Sequence, residues 1–432
     1  MTLGRRCLRA RSRPSSTGLV SRTRPLSDVG DVSDLVDVLG VGGFAWLRDG
    51  GGLATAGAAA RVTVGPGPGR LERAAAEVAG LLGAIEVDDP LSLPGTGPLA
   101  VGALPFADHV AGELVVPAVV IGRTRHGRAW ITETGPADDV PAVGDRARRS
   151  RGGRTPTWVG VTGTDGRRAW TAAVDRALEL IARGPLAKVV LAREVVVEAD
   201  APFAVGSVLD RLRRSQPSSF TYAAGEFVGA SPELLVRRRG ARVLSRPMAG
   251  TVRRGATADD DERLVAELVA SPKEGEEHAL VVGAVRAALD TVCREVVAAT
   301  RPDTVRLDTV THLATTVAGR LAAEEVASRP SALAVAGVLH PTPAVGGLPT
   351  VDALAAIAEL ESFERGLYAG PVGWVDARGD GDWAVALRCA QLEGCRAHLA
   401  AGAGIVADSD VDAEWAETEA KLEPMLEALT SA

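Results

Sequence analysis

The chain alternates short apolar runs with a few longer stretches of helical period. Between residue 28 and about residue 134, one helical stretch, "RLERAAAEVAGLLGAIE", lies among four strand-like runs: "GGFAWLRDG", "GPLAVGALPF", "ELVVPAVVIGRT" and "RAWITET". A second part begins near Trp158, where the helical "AWTAAVDRALELIARG" leads into the strand-like "LAKVVLAREV". Apolar residues at every third or fourth position indicate helices, and alternating ones indicate strands. The pattern predicts a mixed α/β fold with hairpins and without internal repeats.

Two segments depart from this pattern and divide the chain. Residues 1–27 carry seven arginines and no acidic residue, and they lack the apolar stretch of a secretory signal. Their composition superficially resembles an organelle transit peptide, but we predict a disordered tail, or an over-long start, outside the fold. Residues 135–156 are rich in Pro, Gly and Arg, which predicts a mobile surface loop. The predicted organisation is this tail, an N-terminal part at 28–156 that ends in the loop, and a second part at 157–432.

Composition narrows the class of partner. Apolar residues make up 46% of the 432-residue chain and charged residues 24%, and no apolar run approaches the roughly 18 residues of a membrane helix. The net charge is −7 and aromatic residues are 3%, so the basic surface and stacking residues of a nucleic-acid binder are missing. Four scattered cysteines form neither a zinc pattern nor a disulfide framework. We predict a cytoplasmic protein with a small-molecule partner, and neither a nucleic-acid nor a membrane partner.

Lysine is rare enough in this chain to be informative. Of 48 basic residues, three are lysines (Lys188, Lys273 and Lys421) and 45 are arginines, a bias that GC-rich coding explains. The remaining lysines are candidates for chemistry that arginine cannot perform, because a desolvated lysine can lose its proton. Lys188 lies in the apolar run "LAKVVLAREV", on one face with Val190 and Ala192. Two interpretations are open: a general base, whose pKa must fall roughly 3 units from about 10.4, or a strand-end lysine whose ammonium reaches water.

Five glutamates are candidates for acid and metal chemistry. Glu233 follows a Ser-Pro turn in "GASPELLVRRRG", where a buried carboxyl with a raised pKa can donate a proton, although the sequence is also typical of an ordinary turn. Glu274 and Glu277, and likewise Glu414 and Glu417, are three residues apart in predicted helices, so each pair shares a helix face. Two such helices in contact would gather four carboxylates, an oxygen-ligand set that suits Mg²⁺. Solvated helix faces are the alternative.

Further stretches have features that suit the binding of an anionic ligand. Backbone N–H groups without bulky neighbours can approach a carboxylate closely, and a guanidinium group can bind one through two hydrogen bonds. The stretches are the Gly250-Thr251 step in "SRPMAGTVRRG", Arg388 among alanines in the predicted strand "GDWAVALRCAQLE", Gly402 and Gly404 on a predicted turn in "AAGAGIV", and the loop "LHPTPAVGGLP" (339–349). Each is also explained by turn formation or packing, and no nucleotide-binding signature is present.

Taken in order, these motifs resemble those of the chorismate-utilising enzymes, and most closely those of isochorismate synthases. They are "KVVLARE", "GASPELL", "PMAGTVRRG", "EEHALVV", "THLATTVAGRL", "LHPTPAVGGLP", "ERGLYAGPVGW", "VALRCA", "AGAGIV" and "ETEAKLEPML". The resemblance covers residues 158–426, and more loosely residues 44–134. It implies one large α/β (α+β) fold of the anthranilate synthase component I type, with large, mainly antiparallel sheets flanked by helices. It also implies a monomer whose pocket lies in the second part.

The resemblance further implies a role for each candidate residue. Lys188 matches the base that activates water, and Glu233 matches the acid that protonates the departing hydroxyl. The implied Mg²⁺ ligands are Glu277 and Glu417, with Glu274 and Glu414 as a second, water-mediated pair. The positions implied to bind the substrate are Gly250, Thr251, His312, Ala344, Tyr368, Arg388, Gly402, Gly404 and Lys421.

The implied reaction is the Mg²⁺-dependent isomerisation of chorismate to isochorismate, in which water enters at ring carbon C2 and hydroxide leaves from C4. Salicylate synthases share this machinery and then eliminate pyruvate, but the "HPTP" and "HLAT" forms in this chain favour a synthase that stops at isochorismate. Anthranilate synthases typically carry glutamine in place of Lys188, and aminodeoxychorismate synthases carry a covalent lysine where Ala249 stands. A non-catalytic chorismate sensor would have lost the base, the acid or a metal ligand. The isochorismate formed would serve menaquinone or siderophore synthesis.

Overall fold

The computed structural model describes residues 18–28, 32, 34–138, 156, 158–162, 166–184, 186–323, 325 and 328–430. These residues form 25 strands, eight α-helices and two short 3-10 helices at Leu26–Asp28 and Leu35–Val38. The helices are α1 (Arg70–Gly83), α2 (Gly166–Arg183), α3 (Val205–Ser215), α4 (Ala258–Ala270), α5 (Pro272–Asp290), α6 (Ala332–Leu339), α7 (Thr350–Leu360) and α8 (Val411–Thr430). Among these eight, none combines the length and the apolar character that a membrane crossing requires.

The strands of the first part of the chain are β1 (Leu19–Pro25), β2 (Phe44–Arg48), β3 (Gly51–Ala56), β4 (Ala60–Val64), β5 (Glu86–Asp88), β6 (Leu99–Ala103), β7 (Gly112–Val116), β8 (Val119–Arg123) and β9 (Ala129–Pro136). Those of the second part up to residue 253 are β10 (Val159–Thr162), β11 (Lys188–Ala199), β12 (Phe220–Ala224), β13 (Phe227–Ser231), β14 (Leu234–Arg239), β15 (Arg242–Arg246) and β16 (Met248–Arg253). The remaining strands are β17 (Cys293–Ala298), β18 (Asp303–Arg306), β19 (Val310–Ala314), β20 (Val317–Leu321), β21 (Gly347–Leu348), β22 (Pro371–Asp376), β23 (Gly381–Val385), β24 (Cys389–Glu393) and β25 (Arg396–Ile405).

Three sheets contain these strands. A 13-stranded sheet has the order β10-β11-β25-β24-β13-β12-β2-β3-β8-β9-β1-β5, with β21 paired to β11. A nine-stranded sheet has the order β17-β20-β15-β14-β23-β22-β6-β7-β4, and β16, β19 and β18 form a three-stranded sheet. Every pairing in them is antiparallel except that of β1 with β5. The predicted fold class, with large, mainly antiparallel sheets and flanking helices, is confirmed.

Each large sheet contains a block of strands from each of the two predicted parts of the chain, and the two blocks are joined by one strand pair. β2 pairs with β12 in the 13-stranded sheet, and β6 pairs with β22 in the nine-stranded sheet. The main hydrophobic core is shared in the same way, since Trp46 and Leu104 belong to one cluster with Trp374 and Trp383. The first part therefore completes the sheets and core of the second.

Part of the predicted tail is folded, so the prediction of disorder is wrong for residues 19–25. They form β1, which pairs with β9 along its whole length. Ser21 and Thr23 are buried, and Thr23 Oγ1 lies 2.8 Å from Thr132 Oγ1. Residues 1–17 lie outside the described residues. The predicted loop at 135–156 overlaps the end of β9, and its residues 139–155 lie outside the described residues.

Two of the chain's passages between the large sheets lie side by side. One joins β13 to β14 through Pro232 and Glu233, and the other joins β23 to β24 through residues 386–388. Their backbones are bonded, since Val385 N–H donates to Glu233 O at 3.2 Å. The prediction of one continuous strand through "GDWAVALRCAQLE" is thus wrong, because the chain changes sheets there and Arg388 has a φ of 49°. These passages bring Glu233 and Arg388 to one place.

Candidate active site

One pocket contains all but two of the predicted site residues. It lies where β11 and β25, the three-stranded sheet, the two passages and the helices α5 and α8 meet. Its predicted members are Lys188, Glu233, Gly250, Thr251, Glu277, His312, Ala344, Tyr368, Arg388, Gly402, Gly404, Glu417 and Lys421. The other two, Glu274 and Glu414, line an adjoining cavity that shares Glu277 and Glu417 with the pocket.

Lys188 is the first residue of β11 and is buried. Its side chain is 2% exposed, so the interpretation of an ammonium group that reaches water is wrong. Lys188 Nζ instead lies 2.8 Å from Glu277 Oε1. Gly404 leaves room for this contact, because a Cβ there would lie 2.9 Å from both Lys188 Cε and Glu277 Oε1. Gly402 and Gly404 lie inside β25 and not on a turn as predicted, and they line the pocket with bare backbone.

Glu233 lies in the passage that joins β13 to β14 and is 3% exposed. Ser231 holds the backbone of this turn, because its hydroxyl donates to Val385 O at 2.6 Å and accepts from Glu233 N–H at 3.2 Å. Burial raises the pKa of Glu233 to about 8, against the opposing charges of Lys188 and Lys421. The carboxyl is therefore protonated at neutral pH and can donate its proton.

The two predicted glutamate pairs lie near the N-terminal ends of helices α5 and α8. α5 begins at Pro272 after Ser271, whose hydroxyl accepts from Glu274 N–H at 3.3 Å. Burial, and then the neighbouring Glu277 carboxylate, raises the pKa of Glu274. Burial and Glu417 likewise raise the pKa of Glu414 to about 7. Because a neighbouring carboxylate adds to burial in both shifts, negative charge is crowded between the N-terminal parts of the two helices.

Lysine side chains contact Glu277 and Glu417, the two glutamates of these pairs that line the pocket. Burial raises the pKa of Glu277, but the ammonium groups of Lys188, Lys421 and Lys273 together outweigh burial and hold that pKa below its ordinary value. Lys421 Nζ lies 2.5 Å from Glu417 Oε1 and donates to Gly402 O at 2.9 Å. Within the described ranges, no three His, Cys, Asp or Glu side chains converge closely enough to hold a metal ion. The four carboxylates thus suit Mg²⁺ in donor type. Two of them, Glu277 and Glu417, contact the ammonium groups of Lys188 and Lys421.

The opposite side of the pocket has an unsatisfied donor. Arg388 is 8% exposed, and its Nη1 is buried without a hydrogen-bond partner among the described residues. Burial lowers the pKa of Arg388 to about 10, so the group is charged at neutral pH. A buried guanidinium donor without a partner suits an anionic ligand.

Its other terminal nitrogen, Nη2, donates to His312 Nε2 at 3.1 Å. His312 therefore carries its proton on Nδ1, which donates to Thr251 Oγ1 at 3.0 Å. Burial, aided by Arg388, holds the pKa of His312 well below its usual range and keeps it neutral. Gly250, with a φ of 79°, lets the backbone turn beside Thr251.

The remaining members of the pocket complete its walls. Tyr368 is 8% exposed, and burial holds its pKa above the usual range, so its hydroxyl stays protonated. The sequence carried no signal for several apolar lining residues, because an apolar side chain indicates nothing beyond packing; they are Val190, Met248, Val345 and Leu387. It also gave no role to Lys273, whose Nζ lies 3.9 Å from Glu414 Oε1.

A buried lysine, a protonated glutamate and a charged arginine around one small pocket define an acid–base enzyme for an anionic small molecule. A family profile described as chorismate binding enzyme matches residues 42–430. The chain therefore belongs to the chorismate-binding enzyme family, and the predicted resemblance is confirmed.

Individual proteins of known name are similar over most of the chain. MenF of Mycobacterium tuberculosis, named as a candidate isochorismate synthase, is 43% identical over 350 residues, which span 78% of this chain and 87% of that protein. The isochorismate synthase DhbC of Bacillus subtilis is 37% identical over 343 residues, spanning 77% and 81% of the two chains. The structure of MenF, the menaquinone-specific isochorismate synthase of Escherichia coli, superposes with a TM-score of 0.75 at 25% identity, covering 95% of this chain and 94% of that one.

Proposed function

We propose that this chain is an isochorismate synthase, an isomerase that converts chorismate to isochorismate. The observation that carries the proposal is the pairing, in one pocket, of the buried Lys188 with a Glu233 whose pKa is about 8. A buried amine and a protonated carboxyl in one pocket suit a reaction that takes one proton from water and gives another to a leaving hydroxyl.

Lys188 and Glu233 would act on opposite ends of the displacement. Lys188 would act as the base, taking a proton from a water molecule whose oxygen bonds to ring carbon C2. The double bonds shift, the C4–O bond breaks, and Glu233 gives its proton to the departing hydroxyl, which leaves as water. One water enters and one leaves, so the substrate is isomerised without a net change in composition.

The substrate carboxylates would be held by the cationic and hydroxyl groups of the pocket. Arg388 offers the unpartnered Nη1, while Tyr368 and Lys421 line the same pocket. Backbone at Thr251 and Gly402 would complete the binding. His312 would orient Arg388 through the hydrogen bond between Arg388 Nη2 and His312 Nε2.

Mg²⁺ is the proposed cofactor. Glu277 and Glu417 would hold it directly, and Glu274 and Glu414 would hold it through water. When bound, it would neutralise the ring carboxylate and the crowded glutamates. The raised pKa values of Glu274 and Glu414 support a site that gains from a cation. A monomeric state and a cytoplasmic location stay predictions.

The test is to incubate the purified protein with chorismate and Mg²⁺ and to separate the products by chromatography. We expect isochorismate in equilibrium with chorismate, and we expect EDTA to abolish its formation. Lys188→Arg keeps the charge but cannot act as a base, so it should lower kcat by about 10²- to 10⁴-fold. Salicylate with pyruvate would reassign the chain to the salicylate synthases, and binding of chorismate without turnover would make it a sensor.

A further inference from the structure

Strand β11, which begins at Lys188, is paired along one edge and only partly along the other. On one edge it pairs with β25 over ten residues, from Val189 to Glu198. On the other edge, β21 pairs with its first two residues and β10 with its last four. The gap between them begins at Val190, two residues after Lys188, and includes Ala192. Backbone groups in such a gap require other hydrogen-bond partners.

The side chains of Glu361 and Arg365 supply two of these partners, while Val190 N–H donates to Gly346 O at 2.8 Å. Ala192 N–H donates to Glu361 Oε1 at 2.7 Å, and Arg365 Nη2 donates to Val190 O at 2.7 Å. The two side chains form an ion pair, with 4% and 3% of their surfaces exposed. One buried pair thus takes the place of a neighbouring strand at the segment that follows Lys188.

Arg365 also connects this segment to another wall of the pocket. Its Nη1 donates at 2.8 Å to the backbone oxygen of Val345, a residue of the 339–349 loop that lines the pocket. Its guanidinium carbon lies 4.4 Å from the ring centre of Phe106 and 5.9 Å from that of Tyr368. Because one planar guanidinium makes all these contacts, a lysine at this position could not reproduce them.

We propose that Glu361 and Arg365 are positioning residues for the isochorismate synthase reaction, which fix the strand after Lys188 against the 339–349 loop and so fix the base relative to the substrate. Neither side chain is among the described residues that line the pocket, so both act through other groups. The inference rests on the proposed function, because it assigns Lys188 as the base. A displacement of an active-site group by about 1 Å can lower the reaction rate about 10²-fold.

The test compares Arg365→Lys with a matched control, Arg238→Lys. Arg238 is 1% exposed and also bonds two backbone oxygens, of Gly240 at 2.9 Å and of Arg378 at 3.0 Å, but neither Gly240 nor Arg378 lines the pocket, unlike Val190 and Val345. Arg365→Lys should lower kcat about 10- to 100-fold with little change in the KM for chorismate. Arg238→Lys should lower the thermal unfolding temperature and leave kcat unchanged. An unchanged kcat in folded Arg365→Lys would overturn the positioning role.

A double variant keeps the test decisive if Arg365→Lys does not fold. Glu361→Gln with Arg365→Met removes both charges together, so no buried charge is left without a partner. It should fold and still lose kcat, because the bonds to Val190 O and Val345 O are gone; a wild-type kcat in this folded variant would contradict the proposal. A wild-type chain that forms no isochorismate overturns the proposed function and the positioning role with it. An active wild type with unaffected variants overturns the positioning role alone.

Discussion

At the scale of single residues, the absence of a side chain at residue 404 decides whether the proposed base and its carboxylate partner can meet. A Cβ at Gly404 would lie 2.9 Å from Lys188 Cε and from Glu277 Oε1, closer than van der Waals contact. We expect Gly404→Ala to lower kcat by about 10- to 100-fold, because Lys188 is displaced. Steady-state kinetics with chorismate checks this.

The control for this substitution is Gly283→Ala in α5. A Cβ at Gly283 meets no heavy atom within 4 Å, and alanine favours a helix interior by up to about 1 kcal/mol over glycine. This variant should keep the wild-type kcat. Equal loss of kcat in both variants would contradict the close approach at residue 404.

The pH dependence of kcat/KM should reflect the ionisation of the Glu233 carboxyl. With a pKa of about 8, the carboxyl is protonated at neutral pH and ionises as the pH rises through that value. Because the ionised form cannot donate a proton, kcat/KM should fall above about pH 8. Glu233→Gln should lower kcat by about 10²- to 10⁴-fold and remove this alkaline limb. If kcat/KM of Glu233→Gln still fell above about pH 8, the alkaline limb would belong to another group.

The chemistry of these residues could be predicted from the sequence more readily than their contacts. The scarcity of lysine singled out Lys188, and the Ser-Pro turn singled out Glu233. The ion pair of Lys188 with Glu277 joins residues 89 positions apart, and no local pattern contains such a contact. Arg388 was placed in a continuous strand because the alternation of apolar residues persists while the chain changes sheets.

At the scale of elements, helices α5 and α8 together present the four glutamates. If Mg²⁺ binds there, Glu274→Gln and Glu414→Gln should raise the Mg²⁺ concentration for half-maximal activity by about 10- to 100-fold, as expected for groups that act through water. Glu417→Gln should not regain full activity at high Mg²⁺. The measurement is activity against Mg²⁺ concentration.

Glu276→Gln is the matched control, because Glu276 is exposed and lies on α5 between the two proposed ligands. It should leave the Mg²⁺ dependence unchanged. If the three ligand variants also responded to Mg²⁺ like the wild type, the metal would not lie between these helices.

Helices were predictable where one face is apolar, and strands were predictable where apolar residues alternate. Strand β1 was missed because its inward positions are Ser21 and Thr23, which are buried but polar. Each is satisfied by a hydroxyl on β9, since Thr134 Oγ1 donates to Ser21 Oγ at 3.0 Å and Thr23 Oγ1 bonds Thr132 Oγ1. A strand whose buried side chains are polar shows no alternation of apolar residues. Its sequence therefore does not predict a strand.

At the scale of the whole molecule, both large sheets depend on strands from the two ends of the chain. A fragment of residues 157–432 would expose the edges of β12 and β22, which β2 and β6 cover in the full chain. Exposed apolar edges favour aggregation. We expect this fragment to aggregate on expression and to regain activity only when co-expressed with residues 1–156. A fragment that is monomeric and active by itself would contradict the shared core.

The family resemblance supplied the architecture that periodicity alone could not. Apolar runs predicted mixed α and β structure, but the order of the strands depends on contacts between distant segments. The geometry of the candidate site also depends on contacts between distant segments. Residues from 188 to 421 meet in one pocket only when the three sheets are assembled.

The central claim is that water activated by Lys188 enters the ring. The most direct measurement is mass spectrometry of isochorismate formed from chorismate in water enriched in oxygen-18. The account predicts one heavy oxygen in each isochorismate molecule, at the C2 hydroxyl, and no labelled product above background with Lys188→Arg. Unlabelled isochorismate from the wild-type enzyme would show that the hydroxyl moves within the substrate, and it would contradict the account.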